Sequence, residues 1–162
     1  MVRFETSLGS FTIELLQQES PKSVANFLRY VDEGFFDGTV FHRVVPGFVI
    51  QGGGLTPDMQ RKDTHPPVQN EAANGVKNLR GTLSMARTND IHSATSQFFV
   101  NVADNAFLDH KPGSHGYAVF GRVTQGMEVV DKIAAVATGR RKGYDDAPLQ
   151  DVVIVSARRQ DA

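Results

Sequence analysis

The feature that most constrains the fold is a series of short alternating runs, interrupted only twice by helical periodicity. Val2–Glu5 and Phe11–Leu15 alternate apolar and polar residues on either side of a turn-like segment, Ser7–Ser10. This pattern predicts a hairpin with one buried face. Further strand-like runs are Thr39–Val45, Phe48–Gln51, Thr82–Ala86, Gln97–Val102, Ala118–Val123 and Asp151–Ala157.

Two stretches have the spacing of an amphipathic helix. The first stripe comprises Val24, Phe27, Leu28 and Val31. Ser20 suits its N-cap, Pro21 its first position and Gly34 the position just past its end. The second stripe comprises Met127, Val130, Ile133, Ala134 and Ala137, and we expect it to end near Gly139.

Many strands with two helices far apart argue against alternating β-α-β units. They favour an antiparallel sheet that closes on itself, as a β-barrel or a sandwich, with the helices over its openings. The segment Leu55–Arg80 is polar, without a clear period, and is predicted to be a long loop, either functional or of the omega type. A length of 162 residues predicts one domain, spanning 1–162.

Composition excludes several classes of function. The chain has no cysteine, so thiol nucleophiles, disulfides and thiolate metal sites are ruled out. The formal net charge of −1 gives no long-range attraction to nucleic acid or to an anionic membrane. The first residues lack the apolar core of a secretory signal, and we expect a cytoplasmic protein.

One chemically informative stretch is Phe41–Gly54, in which a strand breaks at Pro46-Gly47 and resumes. Arg43 shares a strand face with the apolar Phe41 and Val45. Such an arginine either pairs with an internal acid or lines a cleft, and the pattern alone leaves both readings open. His42 is expected on the opposite face as a structural histidine with its hydrogen bonds satisfied.

A second informative stretch runs from Leu83 to Arg87 and continues at Ser96–Asn101. Gln97 and Phe99 lie on one face of the predicted strand. By itself this pattern favours an ordinary buried strand over a site.

Together, FHRVVPGFVIQGGG, LSMAR and SQFFVN resemble the signature regions of the cyclophilins. The resemblance extends to SPKSVANFLRYVDEGFFDGTVFHR and AVFGRVTQGMEVVDKI, and so covers nearly the whole chain. Phe107 and Tyr117, with no long extra loop, resemble the bacterial cytoplasmic branch of that family.

This resemblance implies a mainly β fold, a closed eight-stranded antiparallel β-barrel capped by two α-helices. It implies peptidyl-prolyl cis/trans isomerase activity that assists protein folding. Arg43 takes the catalytic arginine position, with the glutamine Gln51 beside it. The other residues implied at the substrate groove are Phe48, Val49, Ala86, Arg87, Thr88, Gln97, Phe99, Phe107, Leu108 and Tyr117.

The expected partners are proline-containing peptides and unfolded or partly folded proteins. Phe107 stands where many eukaryotic members carry a hydrogen-bonding tryptophan, so we expect weak cyclosporin binding. We expect a monomer that uses no cofactor and no metal, and that binds neither nucleic acid nor a membrane. The alternative is a cyclophilin that binds proline peptides as a chaperone-like module but has lost turnover.

Overall fold

The fold is known from a computed structural model, which describes residues 1–160. Its regular elements, in chain order, are β1 (Val2–Thr6), β2 (Gly9–Leu15), α1 (Pro21–Asp32), β3 (Arg43–Val45), β4 (Val49–Gly52), β5 (Thr82–Met85), β6 (Phe98–Asn101), β7 (Val119–Gln125), α2 (Met127–Ala134), β8 (Thr138–Arg141), β9 (Tyr144–Pro148) and β10 (Ile154–Arg159). Short 3-10 helices span Ala72–Asn74 and Ala106–Leu108.

Eight of the strands form one antiparallel sheet, in the order β10-β1-β2-β7-β5-β6-β4-β3. The mainly β fold with two helices is therefore confirmed. The word "closed" slightly overstates the sheet, because its end strands β3 and β10 do not share a ladder. An isolated bridge between Val40 and Val153, just before those two strands, joins the two edges instead.

Fully buried phenylalanines fill the interior, and α1 covers one side of it. They are Phe4, Phe11, Phe27, Phe36, Phe41, Phe98 and Phe120. Phe27 of α1 lies 4.9 Å from Phe120 and 5.7 Å from Phe98, measured between ring centroids. The helical stripe that the sequence shows is thus the face that packs onto the sheet. No helix within residues 1–160 has the length and apolarity that crossing a membrane requires.

The N-terminus of α1 begins as predicted at Pro21, but Ser20 makes no side-chain cap. The Ser20 hydroxyl donates instead to the carbonyl of Val119, at 2.6 Å. Glu71, from the long loop, accepts hydrogen bonds from the backbone N–H groups of Lys22 and Ser23 at 3.2 and 2.6 Å. The segment 55–80 is therefore held against α1 by hydrogen bonds that satisfy its open N-terminus.

The region after α2 differs from the expectation. The helix ends at Ala134 rather than near Gly139, and β8 and β9 form an unpredicted two-stranded sheet. Lys142 and Gly143 connect these strands with φ values of 47° and 86°. A two-residue turn with two positive φ values suits a twisted hairpin, but lysine is not a usual residue at its first position.

Two predicted strands have different bounds in the structure. The run Thr39–Val45 forms a strand only from Arg43 onward, and the last strand is Ile154–Arg159 rather than Asp151–Ala157. Near its start, Thr39 accepts a hydrogen bond from the N–H of Ile154, and Phe41 donates to Val152. These backbone groups are used to join the sheet edges and do not extend a regular ladder.

Candidate functional site

The hairpin of β3 and β4 places Arg43 directly opposite Gln51. Its turn contains Pro46 and Gly47, and the N–H of Phe48 closes it by donating to the carbonyl of Val45, at 3.0 Å. The break that the sequence shows at Pro46-Gly47 is therefore a tight turn. It brings the two polar side chains into one cross-strand pair.

Apolar side chains from separate segments form the wall beside this pair. Val49 from β4 and Phe99 from β6 are almost fully buried, whereas Phe107 at the 3-10 turn is 59% exposed. The Phe107 ring stacks on Phe48 with 5.4 Å between centroids. The Tyr117 ring meets Phe99 edge to face at 5.6 Å.

Together these residues enclose a groove of about 500 Å³. Its lining comprises Arg43, Phe48, Val49, Gln51, Ala86, Arg87, Phe99, Phe107, Leu108 and Tyr117. All the residues predicted for the substrate groove are brought together here except Thr88 and Gln97. Those two line an adjoining groove of about 440 Å³, which shares Gln51, Ala86 and Arg87 with the first.

The guanidinium of Arg43 keeps most of its donors available. Its Nη1 lies 3.5 Å from Gln51 Oε1, at the outer limit of a hydrogen bond. Its Cζ lies 5.7 Å from the centroid of the Phe48 ring. Among residues 1–160, no carboxylate oxygen lies within 4.0 Å of this guanidinium. Of the two readings that the sequence left open, the structure favours a cleft-lining arginine over an internally paired one.

A chain of amides stands behind Arg43. Gln51 uses its carbonyl oxygen toward Arg43 and donates from Nε2 to Gln97 Oε1, at 3.1 Å. Both ends of the Gln51 amide are thus engaged within the protein. Gln97 touches the site through Gln51, which explains why it lies outside the first groove.

Arg87 is held at the rim of the groove by its own side-chain contacts. Its guanidinium carbon lies 4.5 Å from the centroid of the Tyr117 ring, a cation–π contact. Its Nη2 and Nε also donate to the carbonyl of Gly116, at 2.9 and 3.2 Å. Arg87 therefore fixes the ring of Tyr117 against the pocket wall.

His42 is buried, but the expectation that its hydrogen bonds are satisfied is wrong. Its Nδ1 has no hydrogen-bond partner in the described part of the chain. The ring meets Tyr144 of β9 edge to face, 5.7 Å between centroids. Burial, together with the positive charges of Arg43 and Arg61, lowers the pKa of His42 to about 4. The imidazole is therefore neutral at pH 7.

Sequence reasoning missed most of the adjoining groove. Besides Thr88 and Gln97, its lining includes His42, Arg61, Thr64, Ser93, Thr95 and Tyr144. Arg61 and Thr64 come from the long loop without a period, and Tyr144 comes from the unpredicted hairpin. No local pattern marks these residues, because distant segments bring them together.

Known proteins share both this fold and this sequence pattern. Residues 1–159 match the family model described as cyclophilin type peptidyl-prolyl cis-trans isomerase/CLD. A peptidyl-prolyl cis-trans isomerase, cyp18, of Streptomyces antibioticus is 58% identical, the alignment covering 97% of this chain and 96% of that protein. Peptidyl-prolyl cis-trans isomerase B of Escherichia coli K12 is 53% identical, with coverage of 96% and 97%.

A solved structure agrees over the same length. The cyclophilin type isomerase of Cryptosporidium parvum, crystallised in the presence of the dipeptide Ala-Pro, superposes with a TM-score of 0.85. The two chains are 26% identical, and the superposition covers 99% of each.

Proposed function

The chain belongs to the cyclophilin-type peptidyl-prolyl cis-trans isomerases, and from this membership we propose that it catalyses rotation about X–Pro bonds in the groove beside Arg43. The observation that carries the proposal is a guanidinium that has no acidic partner within residues 1–160 and lies at the edge of an apolar groove. Extended proline-containing segments of unfolded or partly folded proteins are the proposed substrates.

The reaction needs no covalent chemistry. Conjugation of the prolyl nitrogen with the carbonyl gives a barrier of about 18–20 kcal/mol and makes free exchange take tens to hundreds of seconds. The protein has only to bind the twisted amide better than either planar form. A millisecond step corresponds to roughly 10⁵-fold acceleration, or about 7 kcal/mol.

Arg43 is the proposed catalytic donor. Midway through rotation the prolyl nitrogen becomes pyramidal and regains a lone pair that can accept a hydrogen bond. The planar amide offers almost no such acceptor, so the interaction selectively stabilises the transition state. A guanidinium suits this role because it stays charged and holds several donors in a fixed plane.

The apolar wall is proposed to bind the proline ring by apolar contact. Phe48, Val49 and Phe99, with Leu108, present hydrocarbon to the groove, and a proline ring seated against them would displace water there. Lower local polarity strengthens the hydrogen bond from Arg43. Because its carbonyl oxygen faces Arg43 and its Nε2 donates to Gln97, we assign Gln51 to orienting Arg43 rather than to contacting the moving carbonyl.

The test is NMR exchange of a short X–Pro peptide with substoichiometric protein. We expect Arg43→Ala to slow the catalysed rotation by about 10²–10³-fold, the usual range for a single transition-state donor. Arg122→Ala is the matched control, since Arg122 is exposed, is paired with Glu14 and does not line the groove. Its rate should equal that of the wild type.

Two outcomes would count against the proposal. Near-normal rotation by a folded Arg43→Ala variant would remove Arg43 from the mechanism. Peptide binding without exchange in the wild type would support the binding-module alternative.

Two finer proposals concern ligands and assembly. Phe107 offers no N–H to a ligand at the groove rim, so we propose weak cyclosporin binding. The large exposed apolar side chains come from separate parts of the chain, and we propose a monomer. The cytoplasmic location stays a prediction.

A further inference from the structure

We propose that Asn105 is a positioning residue for the isomerase reaction, acting through a buried asparagine network behind the groove. This inference rests on the proposed function, because it explains how the wall of the proline pocket is held in place. Asn105 lies just before the 3-10 turn that carries Phe107 and Leu108. Its own side chain does not line the groove.

The network consists of polar side chains that are almost fully buried. They are Asn78, Ser84 and Asn101 at 0% exposure, Asn105 at 4% and Asp109 at 8%. Asparagine rarely lies in an interior, and buried polar groups are costly unless hydrogen-bonded. Such a cluster of buried polar side chains indicates that it holds in place a part of the protein that apolar packing alone would leave less fixed.

The side chains bond to one another in sequence. Ser84 Oγ donates to Asn78 Oδ1 at 2.5 Å, and Asn101 Nδ2 donates to the same oxygen at 3.2 Å. Asn105 Nδ2 donates to Asn101 Oδ1 at 2.8 Å. Asp109 Oδ1 accepts from Asn78 Nδ2 at 3.0 Å and from its backbone N–H at 2.6 Å.

The network ends on backbone carbonyls of the pocket wall. Asn105 Nδ2 donates to the carbonyl of Phe48 at 3.0 Å. Asn78 Nδ2 donates to the carbonyls of Leu108 and Tyr117, at 3.2 and 3.4 Å. Three wall residues from three separate segments are thus tied to one buried cluster.

These three residues lie outside the strands, in a turn, at the end of a 3-10 helix and before β7. Backbone bonds hold each side of the groove, since the N–H of Val102 donates to Phe48 and the N–H of Tyr117 donates to Leu108. The asparagine side chains add a direct link between the two sides. Asn105 uses both hydrogens of one amide, one toward Phe48 and one toward Asn101. Truncating it would remove this side-chain link between the Phe48 and Leu108 sides of the groove, and a shift of about 1 Å in a site can cost as much as 10²-fold.

The experiment compares Asn105→Ala with Thr39→Val. Thr39 is also fully buried, and its hydroxyl donates to a backbone carbonyl, that of Phe36, at 2.7 Å. Both changes remove buried donors that do not line the groove, but only the Asn105 donor bonds to a residue of the groove wall. Peptide Kd and catalysed rotation are measured by NMR at a temperature where every variant is folded, and unfolding midpoints are measured separately.

We expect Asn105→Ala to weaken peptide Kd and to lower kcat/KM, each by about tenfold, whereas Thr39→Val stays within twofold in both. Asn105→Ser serves if the alanine variant does not fold, since its hydroxyl restores one of the two donations. We expect Asn105→Ser to weaken peptide Kd and lower kcat/KM by about threefold, which lies between the wild type and Asn105→Ala.

The proposal is overturned if either Asn105 variant lowers the unfolding midpoint but leaves Kd and kcat/KM within twofold of the wild type. It is equally overturned if Thr39→Val loses as much of both. Arg43→Ala, measured in the same series, separates the two proposals. If Arg43→Ala rotates the peptide at the wild-type rate, the proposed role of Arg43 is removed. If Arg43→Ala is slow but the Asn105 variants match the wild type, only the positioning network is removed.

Discussion

Phe48 and Phe99 line the same groove but are embedded to different depths. Phe99 is 4% exposed, on a central strand between β4 and β5, whereas Phe48 lies half-buried in the turn before β4. Phe99 therefore belongs to the core as well as to the site. Phe48 contributes its ring mainly to the groove, between Arg43 and Phe107.

This difference predicts separable effects of two truncations. Phe99→Ala should lower the free energy of unfolding by about 3–5 kcal/mol and also weaken peptide binding. Phe48→Ala should weaken binding with a much smaller loss of stability, because its ring already contacts solvent. Urea unfolding and NMR titration with an X–Pro peptide measure the two quantities, and equal stability losses would contradict this assignment.

Residue-scale chemistry was the most predictable part of the site. The resemblance carried by the motif around Arg43 led to nearly all the side chains of the groove. The same motif contains His42, whose unsatisfied Nδ1 was not predicted. Hydrogen-bond satisfaction depends on atoms from other segments, and a strand pattern holds no information about them.

At the scale of elements, the three glycines at the end of β4, Gly52 to Gly54, each pack closely against a neighbouring segment. A Cβ on Gly52 would lie 2.7 Å from the carbonyl of Val40, and one on Gly53 would lie 2.7 Å from the Phe98 ring. A Cβ on Gly54 would lie 2.5 Å from Cγ of Gln97. The first two would displace backbone or core, while the third would displace a side chain that can move.

Gly54→Ala should therefore disturb activity more than stability. Displacing Gln97 would break its hydrogen bond to Gln51 and release the orientation of Arg43, lowering kcat/KM by about tenfold. Gly139→Ala on β8 is the matched control, since its Cβ would approach the flexible end of Leu149, at 3.0 Å. The two variants should have similar thermal midpoints. Unchanged kcat/KM in Gly54→Ala would show that the amide chain does not orient Arg43.

At the scale of the whole molecule, the buried histidine makes folding stability depend on pH. The pKa of His42 is lowered from 6.5 to about 4 in the folded chain. Between pH 6.5 and pH 4, His42 is therefore protonated in the unfolded state but largely neutral in the folded state. Stability should fall as the pH drops from 6.5 toward 4, by at most about 3 kcal/mol.

The prediction is checked by urea unfolding at pH 7 and pH 4.5 of the wild type, His42→Gln and the exposed control His110→Gln. The dependence of the free energy of unfolding on pH should vanish in His42→Gln and persist in the wild type and in His110→Gln. Asp32, Asp37 and Asp131 have pKa values held below 3.8 by arginine partners, so their losses begin at lower pH. An unchanged pH dependence in His42→Gln would assign the effect to other groups.

The sequence by itself determined the local features: alternating strands, the α1 stripe, the break at Pro46-Gly47 and the side chains beside Arg43. These follow from the period of the backbone and from short motifs, which nearby residues control. Only the tertiary structure decided the Val40–Val153 junction, the capping of α1 by Glu71 and the asparagine network behind the groove. Each of these joins segments far apart in the chain, and such pairings depend on how the whole core packs, which no local period encodes.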